Sequence, residues 1–128
     1  MKVYVAVGIG GIIGSILRYL ISTLFWTEQL ASFPWATYIA NITGACLLTF
    51  ILFQPFFVQK LSPSVFVGVT TGLIGSYTTF STLILEVTIL INHDISLALL
   101  YTFATIFGGL LASYSGYLVA QLTSKSEV

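Results

Sequence analysis

Four long apolar runs separated by short polar breaks set the pattern of the chain, at residues 3–25, 34–53, 64–91 and 96–122. Each reaches the roughly 20 residues that a helix needs to cross the hydrocarbon core of a bilayer, so the pattern predicts four spanning helices in one domain. The breaks carry their own signals. A polar loop at residues 27–33 leads to Pro34 and Trp35, a helix-start residue followed by an interface residue. Residues 54–63 read as a loop holding Lys60, Asn92, His93 and Asp94 as a tight turn, and residues 123–128 as a polar tail. The third run is longer than a straight crossing requires, and its middle reads GLIGSYTTFSTLILE over residues 72–86. Gly72 and Gly75 loosen a helix there, and the side chains from Ser76 to Thr79 can bond their own backbone instead of continuing the ladder. A broken third helix is therefore expected. Irregular backbone at membrane depth survives only where protein or a watery cavity covers it. The break is thus expected to be a polar centre between packed helices, with Thr78, Thr79, Ser81 and Thr82 around Phe80.

Composition narrows the class. The 128 residues are 57% hydrophobic and only 6% charged, against roughly 25% charged in an ordinary soluble domain. An all-α integral membrane protein follows, with no room for a separate soluble module. The first run could pass for a signal peptide, but its apolar core is too long, Arg18 lies within it and further spans follow. Net charge is zero and the basic residues are scattered, so nothing marks a nucleic-acid surface. The single Cys46 excludes an intrachain disulfide and reads as a packing residue. Lys2, Lys60 and Lys125 fall on one side of a four-span topology, whereas Glu28, His93 and Asp94 fall on the other. The positive-inside rule then places both termini in the cytoplasm.

No set of residues has the spacing of a catalytic or side-chain metal site, and the hydroxyls have no base beside them, so an enzyme is not expected. Instead the spans hold neutral hydrogen-bonding groups on helical faces. Thr37, Asn41 and Gly44 share one side of the second span; Tyr101, Thr105, Gly109 and Ser113 recur every four residues on the fourth. Interhelical glue and pore lining are both open readings of these rows. Gly8, Gly10, Gly11, Gly14 and Ser15 give the first span a face that lets another helix come close. Arg18 and Glu86 are the charges inside predicted spans, and for each a vestibule role and snorkelling to the interface are both open. A path of hydroxyls, an amide and phenyl edges without a fixed mid-membrane charge suits a small anion, because hydroxyl and amide protons replace hydration and the ring edge is positive. Water or a cation is not excluded by that chemistry alone.

The motifs GGIIGSILRY at residues 10–19, NITG at 41–44 and TTGLIGSYTTFSTLILE at 70–86, in that order on four short spans, resemble the Fluc (CrcB) family of bacterial fluoride channels over essentially the whole chain. The resemblance implies an antiparallel, dual-topology-type dimer in the bacterial inner membrane, with two ion paths and a structural sodium ion on the dimer axis. It implies that Asn41 and Phe80 line the fluoride path, joined by Ser81, Thr82 and Thr37, with Arg18 in a vestibule and Glu86 near the path; the fourth-span hydroxyls of Tyr101, Thr105 and Ser113 are further candidates for its lining. Backbone carbonyls of Gly75 and Thr78 from both subunits would hold the sodium. Two departures stand out: Leu83 occupies the place of the family's second phenylalanine, and Gly109 interrupts the hydroxyls of the fourth span. A homodimer would lack one ring in each path. Together with the lysine bias, this suggests a heterodimer in which an oppositely inserted homologue supplies that ring; a homodimer that tolerates Leu83 is the alternative.

The expected function is thus a fluoride-selective channel subunit that lets fluoride leave the cytoplasm passively and relieves its toxicity. One rival is a non-conducting or half-pore partner subunit. Another is a small proton-coupled multidrug exporter, which would need an acid in the first span where this chain has none.

Overall fold

The computed structural model describes residues 1–25 and 32–125. Among them there are helices and connectors but no strand. Helix α1 spans Lys2–Leu24, α2 Trp35–Phe53, α3 Pro55–Lys60 and α4 Pro63–Val67. A π-helical segment, Gly68–Ile74, leads into the single turn α5, Gly75–Tyr77; α6 is Ser81–His93 and α7 Ile95–Lys125. Four stretches are long and apolar enough to cross a membrane: Lys2–Leu24, Trp35–Phe53, Pro63–His93 and Ile95–Ser124. Most of the polar loop expected at residues 27–33 lies outside the described residues, as does the end of the polar tail.

The spans pack as two parallel pairs, and small residues set both. Along α1, a Cβ added at Gly10 would collide with the Gly68 carbonyl oxygen, and one at Gly14 with that of Leu73. From the other side, a Cβ at Gly72 would come within 2.6 Å of the Val7 carbonyl oxygen. The backbones of α1 and of residues 68–77 therefore touch directly, a contact only glycine permits. Gly68 and Gly72, four residues apart in the π-helical segment, both lie on that seam, against Ala6 and Val7. Of the expected glycine face, Gly8 takes no part, since nothing lies within 4 Å of its Cβ position. In the second pair, a Cβ on Gly116 of α7 would strike the Cys46 carbonyl oxygen of α2, and Gly108 sits against Tyr38 and Ile42. Farther along, Gln54 Nε2 donates to Thr123 Oγ1 at 3.0 Å.

Three connectors differ from the sequence reading. The loop at 54–63 holds α3, because Pro55 can start a helix and PFFVQK offers no breaker. Asn92 and His93 belong to α6, and Asp94 alone separates it from α7. Asp94 Oδ1 accepts the N–H groups of Ser96 at 2.9 Å and Leu97 at 3.1 Å, the N-cap bonds that let the next helix begin at once. Helix α7 continues through Thr123 into Lys125. The internal core is small, with Leu83, Leu90, Ala98 and Tyr101 at its centre. Large apolar side chains such as Ile9, Ile12 and Ile16 face outward, as expected where lipid tails replace water.

Candidate functional site

Helical structure lapses once within the third spanning stretch. The turn α5 stops at Tyr77, Thr78 adopts extended geometry (φ −80°, ψ 157°), and α6 begins at Ser81. The cause lies on α2. Asn41 Oδ1 accepts the Thr79 N–H at 2.8 Å while Asn41 Nδ2 donates to the Thr79 carbonyl at 2.9 Å. The carboxamide pairs with Thr79 as a second backbone would, satisfying groups that would otherwise be costly to bury. Thr79 Oγ1 in turn accepts the Thr82 N–H at 3.3 Å and donates to Thr82 Oγ1 at 3.0 Å, in the first turn of α6.

These bonds decide which carbonyls are left over. In a continuous helix Thr79 N–H closes on Gly75 and Thr82 N–H on Thr78. Both donors are turned elsewhere, to Asn41 and to the Thr79 hydroxyl. The carbonyls of Gly75 and Thr78 lose those partners, and the Cβ position of Gly75 opens onto space with no atom within 4 Å.

Two cavities flank the lapse. One, of about 450 Å³, is lined by Asn41, Gly75, Thr78, Thr79, Phe80, Leu83, Thr105 and Ile106, none of them ionisable. Phe80 is 76% exposed within the single subunit, whereas Leu83 is 8% exposed and belongs to the core. The other, of about 530 Å³, lies where the end of α1 meets the start of α2 and the middle of α6. It includes Thr37, Thr82 and Glu86, with Ser22, Phe25, Phe33 and Trp35 around them. The Thr79 to Thr82 hydroxyl bond connects the linings of the two.

Glu86 is held by both oxygens. Thr37 Oγ1 donates to Oε1 at 2.8 Å, and the fully buried Tyr101 hydroxyl donates to Oε2 at 2.7 Å. Tyr101 thus serves the carboxylate and lines neither cavity. Thr105 lines the first cavity while returning its hydroxyl to the Tyr101 carbonyl at 2.8 Å. Ser81 is exposed, with its Oγ 3.3 Å from Thr79 Oγ1. Ser113 sits apart in the seam between α2 and α7, where Thr49 donates to it at 3.2 Å, and lines neither cavity. Arg18 is half-buried on α1 and also lines neither.

The sequence places Thr79 in the polar centre around Phe80 but gives it no part in the ion path, although it links Asn41 to Thr82. Its signal was the hydroxyl run around Phe80, which does not tell which hydroxyl meets Asn41. The aromatic wall at Phe25, Phe33 and Trp35 has no counterpart in the sequence reading, where Trp35 alone is an interface residue and Phe25 and Phe33 only bound a span and a loop. Among the described residues no cluster of three His, Cys, Asp or Glu could hold a metal.

Fold and site together define a multi-pass helical membrane protein with a seat of hydroxyls and one carboxamide inside the bundle. The chain belongs to the CrcB family: the family model described as CrcB-like protein, Camphor Resistance (CrcB), matches residues 5–117. It is 40% identical over 129 residues to the fluoride-specific ion channel FluC 2 of Geobacillus kaustophilus, with 98% of each chain covered. It is 38% identical over 130 residues to FluC 1 of Bacillus cereus, covering 98% of this chain and 88% of that one. Against FluC 1 of Moorella thermoacetica the identity is 36% over 125 residues, with 97% and 89% covered.

Proposed function

We propose that the chain is a subunit of a fluoride channel that conducts passively and is not an enzyme. The observation that carries this reading is the cavity beside the helical lapse, where Asn41, Thr79, Phe80 and Thr105 meet without a fixed charge, in a chain similar along its length to fluoride-specific channels. One amide hydrogen of Asn41 is spent on Thr79, which leaves the second for an ion. The Phe80 ring offers its positive edge, and the Thr79 and Thr82 hydroxyls pass the anion toward Thr37. There the ion competes with Glu86 for the Thr37 proton. Among the described residues no lysine or arginine in either lining traps it, and conduction needs binding weak enough for release.

The lapse is read as a working break in the third helix. Backbone carbonyls of Gly75 and Thr78, deprived of their helical donors, are hard oxygen ligands that fit a sodium ion, and the open space at Gly75 gives such an ion access. Sodium would supply charge that locks two broken helices together. Four ligands from carbonyls alone require a second subunit, consistent with an antiparallel dimer in the bacterial inner membrane with cytoplasmic termini.

A heterodimer is the second reading, favoured by Leu83. That side chain is fixed in the core against Leu90 and Tyr101 while it lines the cavity that Phe80 opens into, so a second ring must come from a partner. A helper subunit without a path of its own is its extreme form. The proton-coupled exporter has no support, since α1 contains no acid.

The test is fluoride efflux from liposomes holding this chain alone, with chloride as control and sodium throughout. Selective fluoride flux establishes the channel and a functional homodimer. Silence alone but flux with a co-expressed homologue establishes the heterodimer. Loss of that flux in Asn41→Ala or Phe80→Ala of this chain, with assembly intact, assigns it a path, whereas unchanged flux leaves it a helper.

A further inference from the structure

The larger cavity holds more than an anion path needs. Its wall carries three aromatic rings, Phe25, Phe33 and Trp35, together with Ser22 and the Glu86 carboxylate. Among the described residues lining it there is no basic side chain, and Arg18, one turn before Ser22 on α1, does not reach it. Rings alone would be ordinary at a membrane interface; a carboxylate opening onto the same cleft without a cationic partner is not. Its two bonded donors are neutral hydroxyls from Thr37 and Tyr101, which orient the carboxylate and leave each oxygen further lone pairs.

The rings and the carboxylate form one braced unit. Phe33 and Trp35, both in the wall of the cavity, pack on each other with centroids 4.6 Å apart and ring planes tilted by 47°. Tyr101 packs edge-on to Phe33 at 5.3 Å and 81°, and the hydroxyl of that same tyrosine holds Glu86. The volume, about 530 Å³, falls in the range of roughly 300–1,000 Å³ typical of small-molecule sites. It is far too large for a bare metal ion with one carboxylate. Aromatic faces attract organic cations, most strongly where water is excluded.

We infer that this cleft binds a small alkylammonium cation, either free in solution or as the headgroup of a lipid, with Glu86 as counter-charge and Phe33 and Trp35 as the aromatic wall. The site goes beyond the channel reading, and an occupant would stand across the Thr82 to Glu86 stretch of the proposed path.

The experiment uses the full chain with Trp26→Phe, which leaves Trp35 as the single indole, in phosphatidylglycerol vesicles. Choline is titrated against 3,3-dimethylbutan-1-ol, its uncharged isostere, with Trp35 fluorescence as the readout. A saturable change with choline and none with the alcohol is expected. Glu86→Gln should weaken choline at least tenfold, and Phe33→Leu several-fold. The comparison of the two ligands on otherwise unaltered protein stands even if a variant fails to fold. No saturable change, an equal response to the alcohol, or unchanged affinity in folded Glu86→Gln overturns the site. Where choline binds, repeating the titration in phosphatidylcholine vesicles separates the sources: loss of the response identifies a lipid headgroup, and persistence a free cation. Fluoride efflux from the same vesicles is read independently, so a failed channel and a failed cation site are distinguishable.

Discussion

At the residue scale, Asn41 does two things at once: it pairs with the Thr79 backbone where the helix lapses, and it keeps one amide hydrogen over. Replacing it with alanine strands the Thr79 N–H and carbonyl, each at a cost of about 1–3 kcal/mol. Asn41→Ala should therefore lower resistance to unfolding as well as fluoride flux, and detergent-titrated unfolding beside efflux would check both. Asn41→Asp, which keeps the acceptor for Thr79 N–H, should retain more stability than alanine does. The Glu86 cluster makes a separate prediction. Thr37→Val and Tyr101→Phe each remove one donor to the same carboxylate, so their combined effect should exceed the sum by about 0.5–3 kcal/mol in a double-mutant cycle. Strict additivity would mean that the two hydroxyls do not share a partner. Asn41 and Thr37 were legible in the sequence as polar groups on one face of an apolar helix. Thr79 and the true service of Tyr101 were not, because which hydroxyl reaches which partner depends on how two helices are rotated against each other.

At the element scale, glycines divide into those the subunit uses and those it does not. Gly10→Ala and Gly14→Ala push a methyl into backbone of the π segment and α5, which no rotamer change relieves. Each should cost about 1–3 kcal/mol or prevent folding. Gly8→Ala and Gly109→Ala meet no atom of the subunit and should change its stability by no more than about 0.5 kcal/mol. Thermal unfolding of the isolated subunit would check the contrast; a large loss for Gly8→Ala would place another chain on that face. The sequence pattern identified a close-packing face on α1 but not which glycines serve it. Nor did it anticipate the π-helical register, since hydropathy records burial and not the number of residues per turn.

For the whole molecule, the parallel pairing of α1 with the third span and of α2 with α7 brings the helix ends near Lys2 and Lys60 to one end of the bundle and His93 and Asp94 to the other. If charge bias sets a single orientation, reporters fused to the C-terminus should show one topology in most molecules. An even split would argue for a homodimer with dual insertion. Replacing sodium by potassium should weaken subunit association and flux together if the Gly75 and Thr78 carbonyls hold the ion. Full association and flux without sodium would remove it from the assembly.

Taken alone, the sequence determined that the chain carries four stretches long and apolar enough to cross a membrane, because apolar length and the cost of unpaired backbone in lipid act locally and leave a linear record. It also marked residues 72–82 of the third stretch as the place where a helical ladder is weakest, since glycines stand there beside a run of hydroxyls. Tertiary structure alone decided how the backbone is satisfied there: by a carboxamide from a different helix, 38 residues away in the chain, at the point where Gly44 lets α2 approach Thr78. It alone seated Glu86 between Thr37 and Tyr101, and it sent Ser113 to a helix seam instead of a cavity. The physical reason is that a hydrogen bond requires its partners within about 3 Å, and neither hydropathy nor spacing specifies the rotation and depth at which two helices meet.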